Sequence, residues 1–159
     1  MNEIIELKAS LAQQTLFATS DGKTIERLAN AARVVNFKSG AYVAFQGEVE
    51  SPLLLILSGQ LRVSRLPEKG DEAPITTVSA GGSIGAVPII SSRPSNINVI
   101  ANRESTVAMI GRTLARQVLC EPLVSIALNG VLASLVGHLV HCHSRRDPAR
   151  RCACSCGNR

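Results

Sequence analysis

Apolar and polar positions change period twice along this chain. Near the N-terminus the spacing is helical: Ile4, Ile5, Leu7 and Leu11 fall on or near one side of a short helix over residues 2–15. Ser20 or Asp21 is placed to cap a second helix, which presents Ile25, Leu28, Ala29 and Ala32 at i, i+3, i+4 and i+7. From residue 34 the apolar runs shorten and are stopped by glycine or polar turns. Strands are expected at Val34–Phe37, Tyr42–Phe45, Leu53–Leu57, Leu61–Ser64, Ile75–Val78, Ile97–Ala101 and Thr106–Ile110. A polar loop fills Pro67–Pro74, and Ala80–Gly85 is a glycine-dense turn. About seven short strands with closely spaced turns are the pattern of a sandwich or barrel, here over about residues 33–112. The helical period returns near Thr113. Pro122 suits the first turn of a last, long helix over about 122–143. Its residues Leu128, Leu132, Leu135, Leu139 and Cys142 alternate 4 and 3 apart, a heptad seam fit to pair with the same helix of a second chain. The alternative is a helix packed on its own barrel, because Val124, Ile126, Ala127, Val131 and Val136 make it apolar on other sides too.

Composition narrows this picture. The 159 residues are 45% hydrophobic and 18% charged, which fits one folded domain with a substantial core. Trp is absent, Tyr occurs once and Phe three times, so the core must be aliphatic, and base stacking on aromatic side chains is not an expected mode of binding. Of the net charge of +5, residues 144–159 carry +4, from five arginines against Asp147. The body is thus nearly neutral, and residues 144–159 read as a basic, cysteine-containing, disordered tail. The acidic start Met1–Glu6 is unlike a secretory signal, and no apolar run is long enough to span a bilayer. The five cysteines all lie at or after Cys120, an odd count that makes no secreted disulfide framework. A cytoplasmic protein without membrane contact is expected.

The order of elements resembles the effector domain of the CRP/FNR family, which has the cyclic-nucleotide-binding fold. Leu16-Phe17 with Ile25–Ala32 looks like that family's first helix. Phe37–Glu48 is similar to its G-x-x-I-x-x-x-G-E/D segment, and Leu55–Val63 to its Y-x-I-x-x-G-x-V-x-V pair. Gly82-Ser83-Ile84-Gly85 stands where the family has G-D-x-F-G-E, residues 86–101 follow the phosphate-binding cassette in length, and Pro94 falls on its common proline. The resemblance covers about residues 15–143. It implies an α+β fold: a jelly-roll barrel (a double-stranded β-helix), flanked by short N-terminal helices and one long C-terminal dimerisation helix.

The departures from the family pattern decide the expected ligand. In nucleotide-binding members a Glu after the cassette glycine holds the ribose 2′-OH, and an Arg near the far end pairs with the cyclic phosphate. Here Ala86 follows Gly85 and Ser95 follows Pro94. Hydrogen bonds to a charged group contribute about 1.5–3 kcal/mol each, so losing both removes most of the grip on a cyclic nucleotide. Arg93, two residues early, reads as an exposed loop residue, and Pro88 removes an N–H from the short cassette helix. Binding of cyclic AMP or GMP is expected to be weak or absent. A pocket lined by Ile84, Gly85, Ala86, Val87, Ser95 and Asn96 is apolar and uncharged, and suits a small uncharged ligand or none.

Other chemistry finds little support. Cys152-Ala153-Cys154-Ser155-Cys156 lacks the paired C-x₂₋₄-C spacing of structural zinc sites, even with Cys142 and His138, His141 or His143 as further ligands, so no native metal site is expected. His138 as a haem ligand is set against the commoner solvated helix histidine. No G-x-S-x-G, P-loop or paired-carboxylate motif is present, and no catalytic residue is assigned. The family's winged helix-turn-helix needs roughly 70 residues beyond the dimer helix, so specific DNA binding by this chain alone is not expected. The expected function is a dimeric sensory module of a CRP/FNR-type transcriptional regulator, with a degenerate nucleotide site and no DNA-binding domain of its own. The alternatives are a ligand-free dimerising scaffold or a truncated transcription factor.

Overall fold

The computed structural model describes residues 2–146, with side chains from Ile4 to Gly137. Two helices come first, α1 (Asn2–Ala12) and α2 (Gly22–Ala31). Asp21, not Ser20, caps α2: its carboxylate accepts the Thr24 N–H at 2.8 Å, which holds it below the usual carboxylate range. Helix α1 stops at Ala12, short of the expected residue 15. Gln14 and Thr15 leave it to bond the β-region instead, Gln14 Nε2 donating to the Ile56 carbonyl and the Thr15 N–H to that of Gly81. Leu11 is buried, whereas Ile4 and Ile5 are exposed.

Eight strands follow among the described residues: β1 (Arg33–Phe37), β2 (Tyr42–Ala44), β3 (Leu53–Ser58), β4 (Gln60–Arg65), β5 (Ala73–Ser79), β6 (Ser83–Ile84), β7 (Asn98–Ala101) and β8 (Ser105–Ile110). A short helix α3 (Ala86–Ser91) interrupts them, and α4 (Arg112–Leu119) and α5 (Pro122–Arg146) close the chain. All pairings are antiparallel, in two four-stranded sheets ordered β1-β8-β3-β6 and β2-β7-β4-β5. This is the expected α+β jelly roll. The strand missed in the sequence is β6, whose two residues pair with Leu54 and Leu55. It is too short to show a period.

The continuous run Leu53–Ile56 has a simple cause. Leu54 and Ile56 point between the two sheets, and Leu53 and Leu55 point into a second core against the helices. Both faces of β3 are buried, so neither calls for a polar residue. β8 divides the same way, with Val107 inside the sandwich and Ala108 and Ile110 toward the helices. Gly59 turns the chain between β3 and β4 at φ +89°, where an added Cβ would come within 2.5 Å of the Glu104 carbonyl oxygen.

Helix α5 leaves α4 at a bend of 93° and runs to Arg146. Ser144, Arg145 and Arg146 are therefore helical and not part of the expected tail. The rest of that tail, 147–159, lies outside the described residues, as do the side chains of Leu139, Cys142, His138, His141 and His143. Cys120, at the end of α4, is an exposed free thiol. No single helix among the described residues is long and apolar enough to cross a membrane.

One polar network closes the far end of the sandwich. Glu72 accepts hydrogen bonds from Ser64 Oγ at 2.6 Å and Asn98 Nδ2 at 3.0 Å, and Asn98 Oδ1 accepts the Gln46 N–H at 2.8 Å. The two side-chain bonds hold the Glu72 carboxyl below the usual glutamate range. Its contribution is therefore complete above the ordinary glutamate pKa and is lost as pH falls through the lowered native value. The melting temperature is expected to fall across that acid window, and by less in Glu72→Gln. Scanning calorimetry from neutral to acid pH checks both. An equal fall in the variant would remove Glu72 from the account.

Candidate functional site

A cleft of about 770 Å³ lies where α5 crosses the mouth of the barrel. Ile84, at the end of β6, and Gly85 through Pro88, at the start of α3, form its floor. Val63, Ile75, Thr76 and Val78 of β4 and β5 form one side, and Asn96 and Ile97 complete the rim. The remaining wall is α5, from Ala127 to Leu135. Among the described residues no charged side chain lines the cleft, and its polar members, such as Thr76, Ser83, Asn96 and Ser134, are all neutral. Its size lies in the range of pockets that hold drug-sized ligands.

Gly85 sets the floor. It precedes α3 at φ +103°, and an added Cβ would lie 2.6 Å from the Pro52 carbonyl oxygen, so only glycine lets the chain turn this close to β3. Helix α3 is then held from outside. Arg112, at the start of α4, donates from Nη2 to the Pro88 carbonyl at 3.0 Å and from Nη1 to the Val49 carbonyl. Arg116 Nη1 donates to Ser92 Oγ at 3.0 Å, beyond the last turn of α3. The joint between α4 and α5 is tied in turn to α2. Glu121 accepts from Thr24 Oγ1 at 2.8 Å and from Arg27 Nη1 at 3.0 Å. The floor of the cleft and the root of its α5 wall thus belong to one hydrogen-bonded frame.

Of the residues expected to line a pocket, the structure brings Ile84, Gly85, Ala86, Val87 and Asn96 to this cleft. Ser95 is elsewhere, which corrects its assignment. It is buried behind the rim, its hydroxyl donating to the Ile97 carbonyl at 3.2 Å, while its backbone pairs with Gly47 and Glu48. Ser95 therefore staples a loop and does not face a ligand. Ala86 is buried, and its side chain joins the helix-side core. Arg93 is exposed and outside the lining. Pro88 supplies no N–H at the third position of α3, a helix of only six residues. None of Ala86, Pro88 and Ser95 brings a cation to the cleft.

The leucine seam is placed in part, since the side chains of Leu139 and Cys142 lie outside the described residues. Leu128 is buried in the chain's own core, and Leu132 and Leu135 line the cleft. These members of the expected dimer surface face the barrel of their own chain. The apolar side chains that α5 leaves exposed are Leu123, Ile126 and Val136. Heptad spacing correctly places residues on one face, but it does not say what covers that face.

The comparisons with known proteins agree with this geometry. The family model for the cyclic nucleotide-binding domain matches residues 34–120. The chain is 26% identical over 115 residues to the cAMP-dependent protein kinase regulatory subunit of Blastocladiella emersonii, a match that covers 72% of this chain and 28% of that one. It spans less than a third of the length of the curated relatives it matches. Among solved structures it is similar to the regulatory domain of Toxoplasma gondii protein kinase A crystallised with cAMP (TM-score 0.74, 20% identity, covering 83% of this chain and 51% of that one). It is similar also to the sensor domain of the transcriptional regulator DNR from Pseudomonas aeruginosa (TM-score 0.71, 19% identity, covering 93% and 97%).

Gly85→Ala tests the floor. Forcing a Cβ into this conformation and against Pro52 is expected to cost about 1–3 kcal/mol. Urea denaturation measures it, and an unchanged midpoint would contradict the placement of α3.

Proposed function

The chain belongs to the cyclic nucleotide-binding domain family, and we propose that it is the sensory module of a CRP/FNR-type transcriptional regulator whose nucleotide site has degenerated into one for a small uncharged ligand. The observation that carries this reading is the charge-free lining of the cleft. A cyclic phosphate seated there would be desolvated with no cation to compensate it, an outcome that costs several kcal/mol. Likeness over nearly the whole of the DNR sensor domain supports a regulator's sensor over a kinase subunit. In this reading the domain works in the cytoplasm, catalyses nothing itself and makes no base-specific contact with DNA.

The mechanism follows from the walls of the cleft. A ligand touches β6, α3 and α5 at once. It favours whichever position of α5 gives the better contacts, and shifts the population only as far as its affinities for the two positions differ. Because Arg112 ties α3 to α4, and Glu121 ties the α4–α5 joint to α2, movement of the floor reaches the root of α5. A second copy is the partner that reads this movement. Leu123, Ile126 and Val136 are the exposed apolar side chains of α5 among the described residues that it would cover, since Leu128 is buried and Leu132 and Leu135 face the cleft.

Thermal-shift and calorimetric titrations test the ligand. Cyclic AMP and cyclic GMP are expected to leave the melting temperature unchanged at millimolar concentration, and an uncharged compound to raise it by mass action. Saturable micromolar binding of cyclic AMP would overturn the proposal. Silence across nucleotides, guanosine, haem and neutral metabolites would favour the ligand-free dimerising scaffold.

Analytical ultracentrifugation tests the partner. The chain is expected to sediment as a dimer and Ile126→Glu as a monomer that still melts cooperatively, at a temperature no longer dependent on protein concentration. A monomeric parent protein would refute the self-association.

A further inference from the structure

The shape and chemistry of the cleft go further than the absence of charge. We propose that it takes an extended aliphatic chain bearing one neutral polar head group, such as a fatty alcohol, amide or ester. This inference rests on the cleft being an effector site.

The first observation is length. The α5 wall runs from Ala127 to Leu135, and nine helical residues span about 12 Å along one axis. The cleft is therefore a trough beside a helix. Its opposite side is built from Val63, Ile75, Val78 and Ile97, all aliphatic and all free to mould around methylene groups. The second observation is what the lining lacks. It contains no aromatic ring, so a planar aromatic ligand would gain none of the stacking or edge-to-face contacts that usually select it. Among the described residues no His, Cys, Met or Tyr lines it to ligate a haem iron. With no cation or anion present, a carboxylate or ammonium head would be buried unpaired. The third observation is what polarity remains. Thr76, Ser83, Asn96 and Ser134 bring hydroxyl and amide groups to the wall, while the Thr15 hydroxyl is already committed to the Gly81 carbonyl. Neutral donors and acceptors of this kind match a hydroxyl, ester or amide head.

Gly130 offers a direct control. It lies on the cleft wall, and an added Cβ would meet nothing within 4 Å. Gly130→Leu therefore has open space at the cleft wall, where its side chain would narrow the trough, and also replaces a poor helix former with a good one, so the free protein is expected to melt no lower than the parent.

The test titrates the full chain with primary alkanols from hexanol to dodecanol, followed by calorimetry and thermal shift. The matching alkanoates and alkylammonium salts, guanosine and 2-naphthol run alongside. Affinity is expected to rise about fourfold per methylene, the equivalent of about 0.8 kcal/mol each, until the trough is full. The charged analogues are expected to bind about tenfold or more weaker at equal length, and Gly130→Leu to lose the response. Affinity independent of chain length, preference for the carboxylate, or undiminished binding by Gly130→Leu would each overturn the inference. Binding of guanosine or 2-naphthol with no response to alkanols would overturn it and leave the uncharged-effector reading standing. Silence toward every neutral compound would overturn both.

Discussion

The packing of one face of α5 across the mouth of its own barrel decides most of what this domain can do. Leu128 enters the helix-side core and Leu132 and Leu135 continue along the cleft, so a groove that would otherwise face water becomes an aliphatic trough. Burial of such side chains contributes about 1.5–3 kcal/mol each, and it is non-directional. The helix is thus held to the barrel by contacts that do not themselves fix one register. That combination suits a wall that must respond to what lies beneath it.

Directional bonds supply what the apolar contact cannot. Arg112 and Arg116 hold α3 through its carbonyls and the serine beyond it, and Glu121 holds the α4–α5 joint to α2. All of these charges lie outside the cleft and none reaches into it. The fold keeps the skeleton of a phosphate-binding cassette, the left-handed glycine and the short helix after it. Around them stand a methyl group at Ala86, a hydroxyl at Ser95 bonded to the Ile97 carbonyl, and Pro88, which has no N–H.

The jelly roll was legible in the sequence because its strands are short, apolar and separated by glycine turns, as where the run Leu53–Leu57 stops at Ser58-Gly59. The floor of the cleft was legible through Gly85 and its neighbours. The rest was not, for separate reasons. β6 has two residues and no period. Ser95 has the right position in the chain, but its local bonds to Ile97, Gly47 and Glu48 turn it away. The α5 wall was visible as a stripe of leucines, but a 4-3 spacing is equally the signature of a helix on a partner and of a helix on its own barrel. Val63, Ile75 and Val78 read as ordinary strand residues, since nothing local shows that a helix returning some fifty residues later will face them.

The account stands on the leucine stripe of α5 being covered from within its own chain. Isotope-filtered NOE spectroscopy on a sample mixing labelled and unlabelled protein measures this directly. Methyl groups of Leu128, Leu132 and Leu135 should show only intrachain contacts with the barrel and α3, while Ile126 and Val136 carry whatever interchain signal exists. Interchain contacts at Leu132 and Leu135 would contradict the account, returning the stripe to a dimer interface and removing the wall that makes the cleft.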